Sequence, residues 1–153
     1  MKSFGVLVEQ FNVSQQSLHI ILQLNTLLEE RGDICPIVFY QDYGPFIQLP
    51  QFSSMLSVEA WDFEGALIST NLSTTRTSIE CPRATRRLFY VWDLEWLYMK
   101  KPIFEKLSAI YQHKDVELIA RSKEHYDILS KCWKKPAGII EDFNYKQIVE
   151  NIQ

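Results

Sequence analysis

The chain has 153 residues, of which 46% are hydrophobic and 23% charged, and a formal net charge of -3. That length suits one ordinary domain, able to bury roughly 70% of its unfolded surface without help from a metal or disulfide. The composition excludes global disorder, and the negative balance argues against generic nucleic-acid binding, which calls for a net basic surface.

The three cysteines, Cys35, Cys81 and Cys132, lie far apart with no C-x-x-C pair. Neither a structural zinc site nor a disulfide framework is expected, and a reducing, cytoplasmic compartment fits. Residues 4–8 form an apolar run too short for a signal peptide or a membrane span, so no membrane is expected as a partner. That run reads as a first strand. Glu9, Gln10 and Asn12 follow it, and Ser14 is placed to cap a helix. Over 15–31, Leu18, Ile21, Leu22, Leu24, Leu27 and Leu28 recur near helical spacing, with Gly32 where a helix would end.

Residues 35–40 read as a second strand, interrupted early by Pro36. Gly44, Pro45 and Pro50 mark 41–51 as a loop, and 53–59 reads as a short helix. A third strand, 65–70, ends in polar residues. The Ser- and Thr-rich stretch 71–80 reads as a loop or weak helix. Residues 87–92 form a fourth strand, followed by 93–99 with no clear period. Pro102 suits the first turn of a helix running to about residue 113. Residues 116–120 make a fifth strand, and Ser122 caps a helix that Pro136 ends. A sixth short strand, 138–140, precedes a closing helix over 144–152. Alternation of this kind predicts an α/β fold. The expected form is one Rossmann-like three-layer sandwich over 1–153, a mostly parallel sheet of about six strands with helices on both faces.

Several chemistries lack their motifs. With five glycines in the chain, no G-x-G-x-x-G follows the first strand, where the turn reads Glu9-Gln10-Phe11-Asn12-Val13-Ser14. No P-loop and no G-x-S-x-G occur. His19 falls inside the first helix and reads as a surface or core residue. His113 ends a helix, and His125 opens one. No metal and no cofactor are implied.

Ligands of open α/β sheets bind beyond the carboxyl ends of the strands. The residues expected there are Glu9, Gln10 and Asn12; Ser69, Thr70 and Asn71; Trp92, Asp93 and Glu95; Arg121, Ser122 and Lys123; and Glu141, Asp142 and Asn144. Polar loops and helix caps draw on the same residue types, so each also has a structural reading. The run 89–98 places Asp93 and Glu95 among five aromatic residues, which suits a platform for a sugar or base, or a buried strand leading to a helix start. Arg76, Arg83, Arg86 and Arg87 form a basic cluster that could touch phosphates or pair with nearby acids such as Glu80.

Taken together, the opening strand and long helix over 4–31, the Trp92-Asp93 strand end, the run from Leu118 through Ser122 to Tyr126, and the Ile139-Ile140-Glu141-Asp142-Phe143-Asn144 segment resemble the amino-terminal half of a GT-B glycosyltransferase, an enzyme with two Rossmann-like domains. The resemblance implies an acceptor- or nucleotide-binding half whose transfer chemistry needs a donor-binding domain, from a separate chain or a homodimer. The chain lacks the glycine-rich turn that many members carry after the first strand. On this reading a sugar acceptor or nucleotide-sugar is the ligand. Asp93 or Glu95 would serve as the base on an acceptor hydroxyl. Glu9, Asn12, Asn71 and Trp92 would line the site, and Arg121 and the Ser122 amide would face phosphate. The alternative is a non-catalytic protein-interaction module with a degenerate Rossmann-like fold, using Trp61, Trp92, Trp96 and Tyr98 as its interface.

Overall fold

The computed structural model describes residues 2–45 and 48–152. In chain order it contains β1 (Lys2–Phe11), α1 (Gln15–Glu30), β2 (Ile34–Tyr43), β3 (Ser53–Leu56), a 3-10 turn (Ser57–Asp62), β4 (Gly65–Ser69) and α2 (Leu72–Glu80). Then come β5 (Ala84–Val91), a second 3-10 turn (Glu95–Leu97), α3 (Phe104–Tyr111), β6 (Val116–Ala120) and α4 (Lys123–Cys132). The chain closes with β7 (Gly138–Ile139), a third 3-10 turn (Glu141–Phe143) and α5 (Tyr145–Ile152). The seven strands form one parallel sheet in the order β3-β2-β1-β4-β5-β6-β7.

Side-chain alternation along the strands divides the core into two layers. From β1, Phe4, Val6 and Val8 meet Ile20, Ile21, Leu24 and Leu27 of α1 and Ile148 and Val149 of α5. Leu7 points the other way, to Phe39, Leu67 and Cys81. On that second face Phe89, Val91 and Leu118 pack with Leu107 and Tyr111 of α3 and Leu129 of α4. Strands buried on both sides must be apolar throughout, which is why residues 4–8 carry an unbroken hydrophobic run. Gly5 sits where the sheet is tightest. A Cβ there would lie 2.6 Å from Leu67 Cδ2 and 2.8 Å from Phe39 Cε2.

The long helix starts where Ser14 directs it: its side chain accepts the Ser17 N–H at 3.1 Å. It stops at Arg31, whose N–H reaches Leu27 O at 2.7 Å, so Gly32 lies in the following turn rather than closing the helix. Residues 71–80 contain α2. A capping box holds its start, with the Thr74 N–H donating to Asn71 Oδ1 at 2.8 Å and the Asn71 N–H donating to Thr74 Oγ1 at 3.1 Å. Hydroxyls that look like loop composition in the sequence are thus spent on capping and on the Ser69–Thr75 contact at 2.8 Å. Pro102 lies just ahead of α3, which begins at Phe104.

The short helix expected over 53–59 is replaced by β3 and a 3-10 turn. Ser53 to Leu56 pair with Ile37 to Tyr40, because the free edge of β2 supplies a hydrogen-bond ladder that four residues with no strong period cannot refuse. This adds a seventh strand to the expected six. Asn25 on α1 braces the loop before it, donating to Leu49 O at 3.0 Å and accepting from the Gln51 N–H at 2.8 Å. No helix among the described residues is long and apolar enough to cross a membrane.

Candidate site at the strand-order reversal

Two chain directions diverge at β1 and β4. From β1 the chain runs outward to β2 and β3, and from β4 it runs the other way to β5, β6 and β7. Helices leaving these neighbours lie on opposite faces, which opens a crevice beyond their carboxyl ends. Glu9 stands at the end of β1 and Asn71 just past β4. They meet directly, with Asn71 Nδ2 donating to Glu9 Oε2 at 2.9 Å.

Glu95 arrives at the same place from the loop after β5. Its Oε1 accepts the Leu72 N–H at 2.9 Å, in the first turn of α2. A protein carboxylate therefore occupies the helix-end amide that would hold phosphate in a glycine-cradled nucleotide site. Burial raises the Glu95 pKa from 4.5 to about 7, against the lowering effect of the Leu72 hydrogen bond, and the charges of Asp93 and Glu9 push in the same direction as burial. The charges of Asp93 and Glu9 therefore act on a carboxyl whose pKa lies near neutrality.

Beside them lies an aromatic platform. The Trp92 ring has the Tyr90 ring 5.4 Å away on edge and the Phe143 ring at 6.0 Å. His19 of α1 flanks it at 6.1 Å. The Arg121 guanidinium lies 5.6 Å from the Trp92 ring centre, donates to Trp92 O at 3.2 Å and stands 3.9 Å from Asp93. Tyr90 fixes the floor: its hydroxyl donates to Ile140 O at 2.9 Å and accepts the Phe143 N–H at 3.1 Å. Burial pushes this phenol up to about 12, so it stays protonated. The pair Asp142 and Phe143 both have positive φ, 48° and 56°. Aspartate tolerates this conformation, but a bulky residue such as Phe143 rarely takes it without outside constraint, and the Tyr90 latch supplies one.

Six of the eight expected site residues, Glu9, Asn71, Trp92, Asp93, Glu95 and Arg121, therefore make contacts around the ends of β1, β4 and β5. The other two make local bonds. Asn12 Oδ1 accepts the Ser14 N–H at 3.1 Å, and the Ser122 hydroxyl accepts the His125 N–H at 3.2 Å as the α4 cap. His19 and the Tyr90–Phe143 latch escaped the sequence reading. Nothing local marked His19: the helix face it shares with Gln23 is placed by a long-range bond, the Tyr145 N–H donating to Gln23 Oε1 at 3.1 Å. The latch had no local mark either, because its partners are backbone groups about fifty residues from Tyr90.

Elsewhere, the basic cluster is spent on internal contacts. Arg76 pairs with Glu80, Arg83 with Glu64 and Arg86 with Glu117, while Arg87 donates to Ser78 O and Cys81 O. Among the described residues, no three His, Cys, Asp or Glu side chains converge to hold a metal ion. A cavity of about 470 Å³ opens at the opposite, amino-terminal edge, lined by Phe4, Gly65, Arg86 and Val149 among others. Its one guanidinium, Arg86, is already held by both Glu117 oxygens at 2.7 Å. The strand-end cluster of Glu9, Asn71, Asp93 and Glu95 lies instead at the edge where open α/β sheets bind ligands.

Comparison of the chain with protein-family models, curated proteins and solved structures gives no match.

Proposed function

We propose that this chain is a glycosyltransferase-like domain, the acceptor- or nucleotide-binding half of a two-domain enzyme, and that it binds hydroxyl-bearing ligands in the crevice between β1 and β4. One observation carries the reading. The Glu95 carboxyl has a pKa near 7, is anchored on the Leu72 amide and stands among Glu9, Asn71 and Asp93. A base tuned to the working pH removes a proton from a hydroxyl most efficiently. The same carboxylates suit sugar hydroxyls, and the half-buried Trp92 stands beside them with Arg121 over its ring.

Between the two expected acids, Glu95 takes the role of base. Asp93 is exposed and faces Arg121, so it orients that guanidinium. Because Glu95 fills the α2 amide, a bound nucleotide would place its phosphates toward Arg121 rather than on α2. Transfer itself calls for a donor-binding partner domain. The interaction-module reading draws on Trp61 and Tyr98, which are exposed, but Trp92 and Trp96 pack inward against the two cores.

The test is thermal unfolding with a panel of nucleotides, nucleotide-sugars and free sugars, each at several pH values. A ligand at 100 times its dissociation constant adds about 2.7 kcal/mol, which raises the midpoint by roughly 5–10 °C for a domain of this size. We expect a rise with one ligand class, strengthening as pH passes through 7, and loss of that pH dependence in Glu95→Gln. A panel with no shift overturns the proposal in favour of the interaction module.

A further inference from the structure

The segment leaving the candidate site exposes an unusual amount of apolar surface. Leu97 is 62% exposed, Tyr98 81%, Met99 42%, Ile103 49% and Phe104 66%. Five large exposed apolar side chains thus fall within eight residues, a concentration that soluble monomers seldom leave without a use. The backbone is irregular from the 3-10 turn at Glu95–Leu97 to the start of α3. It is nevertheless firmly seated. The Phe104 ring stacks on Trp133 at 5.6 Å, Trp133 stacks on Tyr111 at 5.0 Å, and Trp96 meets both edge-on. An aromatic pedestal thus holds Leu97, Tyr98 and Met99 outward.

Charge selects the occupant. Lys100, Lys101 and Lys106 stand against one acid, Glu105, over 97–106, in a chain whose net charge is -3. A second copy docking through this segment would set Lys100 and Lys101 against themselves. A second exposed apolar group, Leu56, Val58 and Trp61, has Glu59 and Asp62 beside it and no lysine over 56–62. The 97–104 segment instead combines exposed apolar side chains with the adjacent cations Lys100 and Lys101. Projecting side chains of that kind need a fluid apolar medium below and anions above, with lysine stems lying along the boundary.

We infer that residues 97–104 form a peripheral docking loop for an anionic lipid surface. Leu97, Tyr98, Met99, Ile103 and Phe104 enter the headgroup–acyl boundary, and Lys100 and Lys101 meet lipid phosphates. A docking loop of this kind is compatible with the lack of a spanning helix among the described residues. The inference stands apart from the transferase reading, since vesicle binding requires no ligand in the crevice.

Sedimentation with vesicles tests it, using phosphatidylcholine alone or mixed with phosphatidylglycerol. Wild-type protein should sediment with the mixed vesicles at low ionic strength and stay in solution with the neutral ones. Reversing both charges in Lys100→Glu/Lys101→Glu should weaken partitioning at least about tenfold, since each lysine near an anionic surface contributes appreciably. Leu97→Ser/Tyr98→Ser should weaken it similarly with an unchanged unfolding midpoint, because neither side chain supports the core. In Tyr98→Trp, brominated acyl chains should quench the new tryptophan. No binding to the mixed vesicles overturns the inference, including the case in which the loop captures an acidic protein or a second copy instead. Binding that both double variants retain in full also overturns it.

Discussion

At the scale of single residues, Glu95 links stability to function. Its folded pKa of about 7 lies above its ordinary value of 4.5, so the folded protein holds this proton more tightly than the unfolded chain. The stabilisation is fully present below about pH 4.5 and is lost as pH rises through about 7. At 1.36 kcal/mol per unit, the loss is at most roughly 3 kcal/mol. Glu95→Gln keeps an acceptor for the Leu72 N–H and removes the ionisation. We expect the variant to match wild type in urea unfolding at pH 4.5 and to exceed it at pH 8, while the pH dependence of ligand binding disappears. A variant less stable than wild type at pH 8 would show that the carboxylate is structural. Tyr90 makes the complementary case. Tyr90→Phe leaves Ile140 O and the Phe143 N–H without their partner inside the core, which costs about 1–3 kcal/mol. Because the latch holds the positive-φ pair beneath Trp92, ligand affinity should fall along with the urea midpoint.

Between elements, stability depends on close approach and on braces more than on helix propensity. Gly5→Ala forces a methyl group into Leu67 and Phe39 at the sheet centre. Overpacking of this kind costs about 1–3 kcal/mol, measurable by chemical denaturation. Asn25→Ala removes both bonds that tie α1 to the loop before β3. A loss of about 1–3 kcal/mol is expected, with faster hydrogen exchange at Gln51. Most elements were legible in the sequence because their signals are local. The Ser14 cap and the Leu periodicity define α1, and the short apolar runs define β1 and β6. β3 was not legible. Its four residues become a strand only because β2 offers an edge. α2 was half legible, since the serine and threonine hydroxyls that suggest a loop are the ones that cap it. In the site, acids and asparagines at strand ends were readable from the topology rule. Their pairing was not, because Glu95 reaches Leu72 across 23 residues and a carboxylate on a helix amide leaves no mark in composition.

For the molecule as a whole, charge placement decides which partners fit. Three of the four clustered arginines face carboxylates, and the fourth is bonded to carbonyls, so this cluster does not offer free guanidinium groups to a phosphate backbone. Binding to a mixed-sequence DNA duplex should be weaker than about 0.1 mM near physiological salt, as fluorescence anisotropy would report. Solution mass then separates the two functional readings. A monomer that gains thermal stability with one ligand class supports the transferase-like half. A stable homodimer indifferent to every ligand supports the interaction module.

The central position of β1 also shapes how the protein is made. Phe4 pairs with Pro36 on one side and with Ala66 on the other, so β1 completes its hydrogen bonding only after β4 has left the ribosome. Until then an apolar strand, meant to be covered on both faces and both edges, stands with one edge open. Loop closure over that span is slow relative to local helix formation. A nascent chain whose β4 is still inside the ribosome would therefore be a strong client for chaperones and prone to aggregate, whereas one whose α2 has emerged would already hold β1 enclosed between its two neighbours.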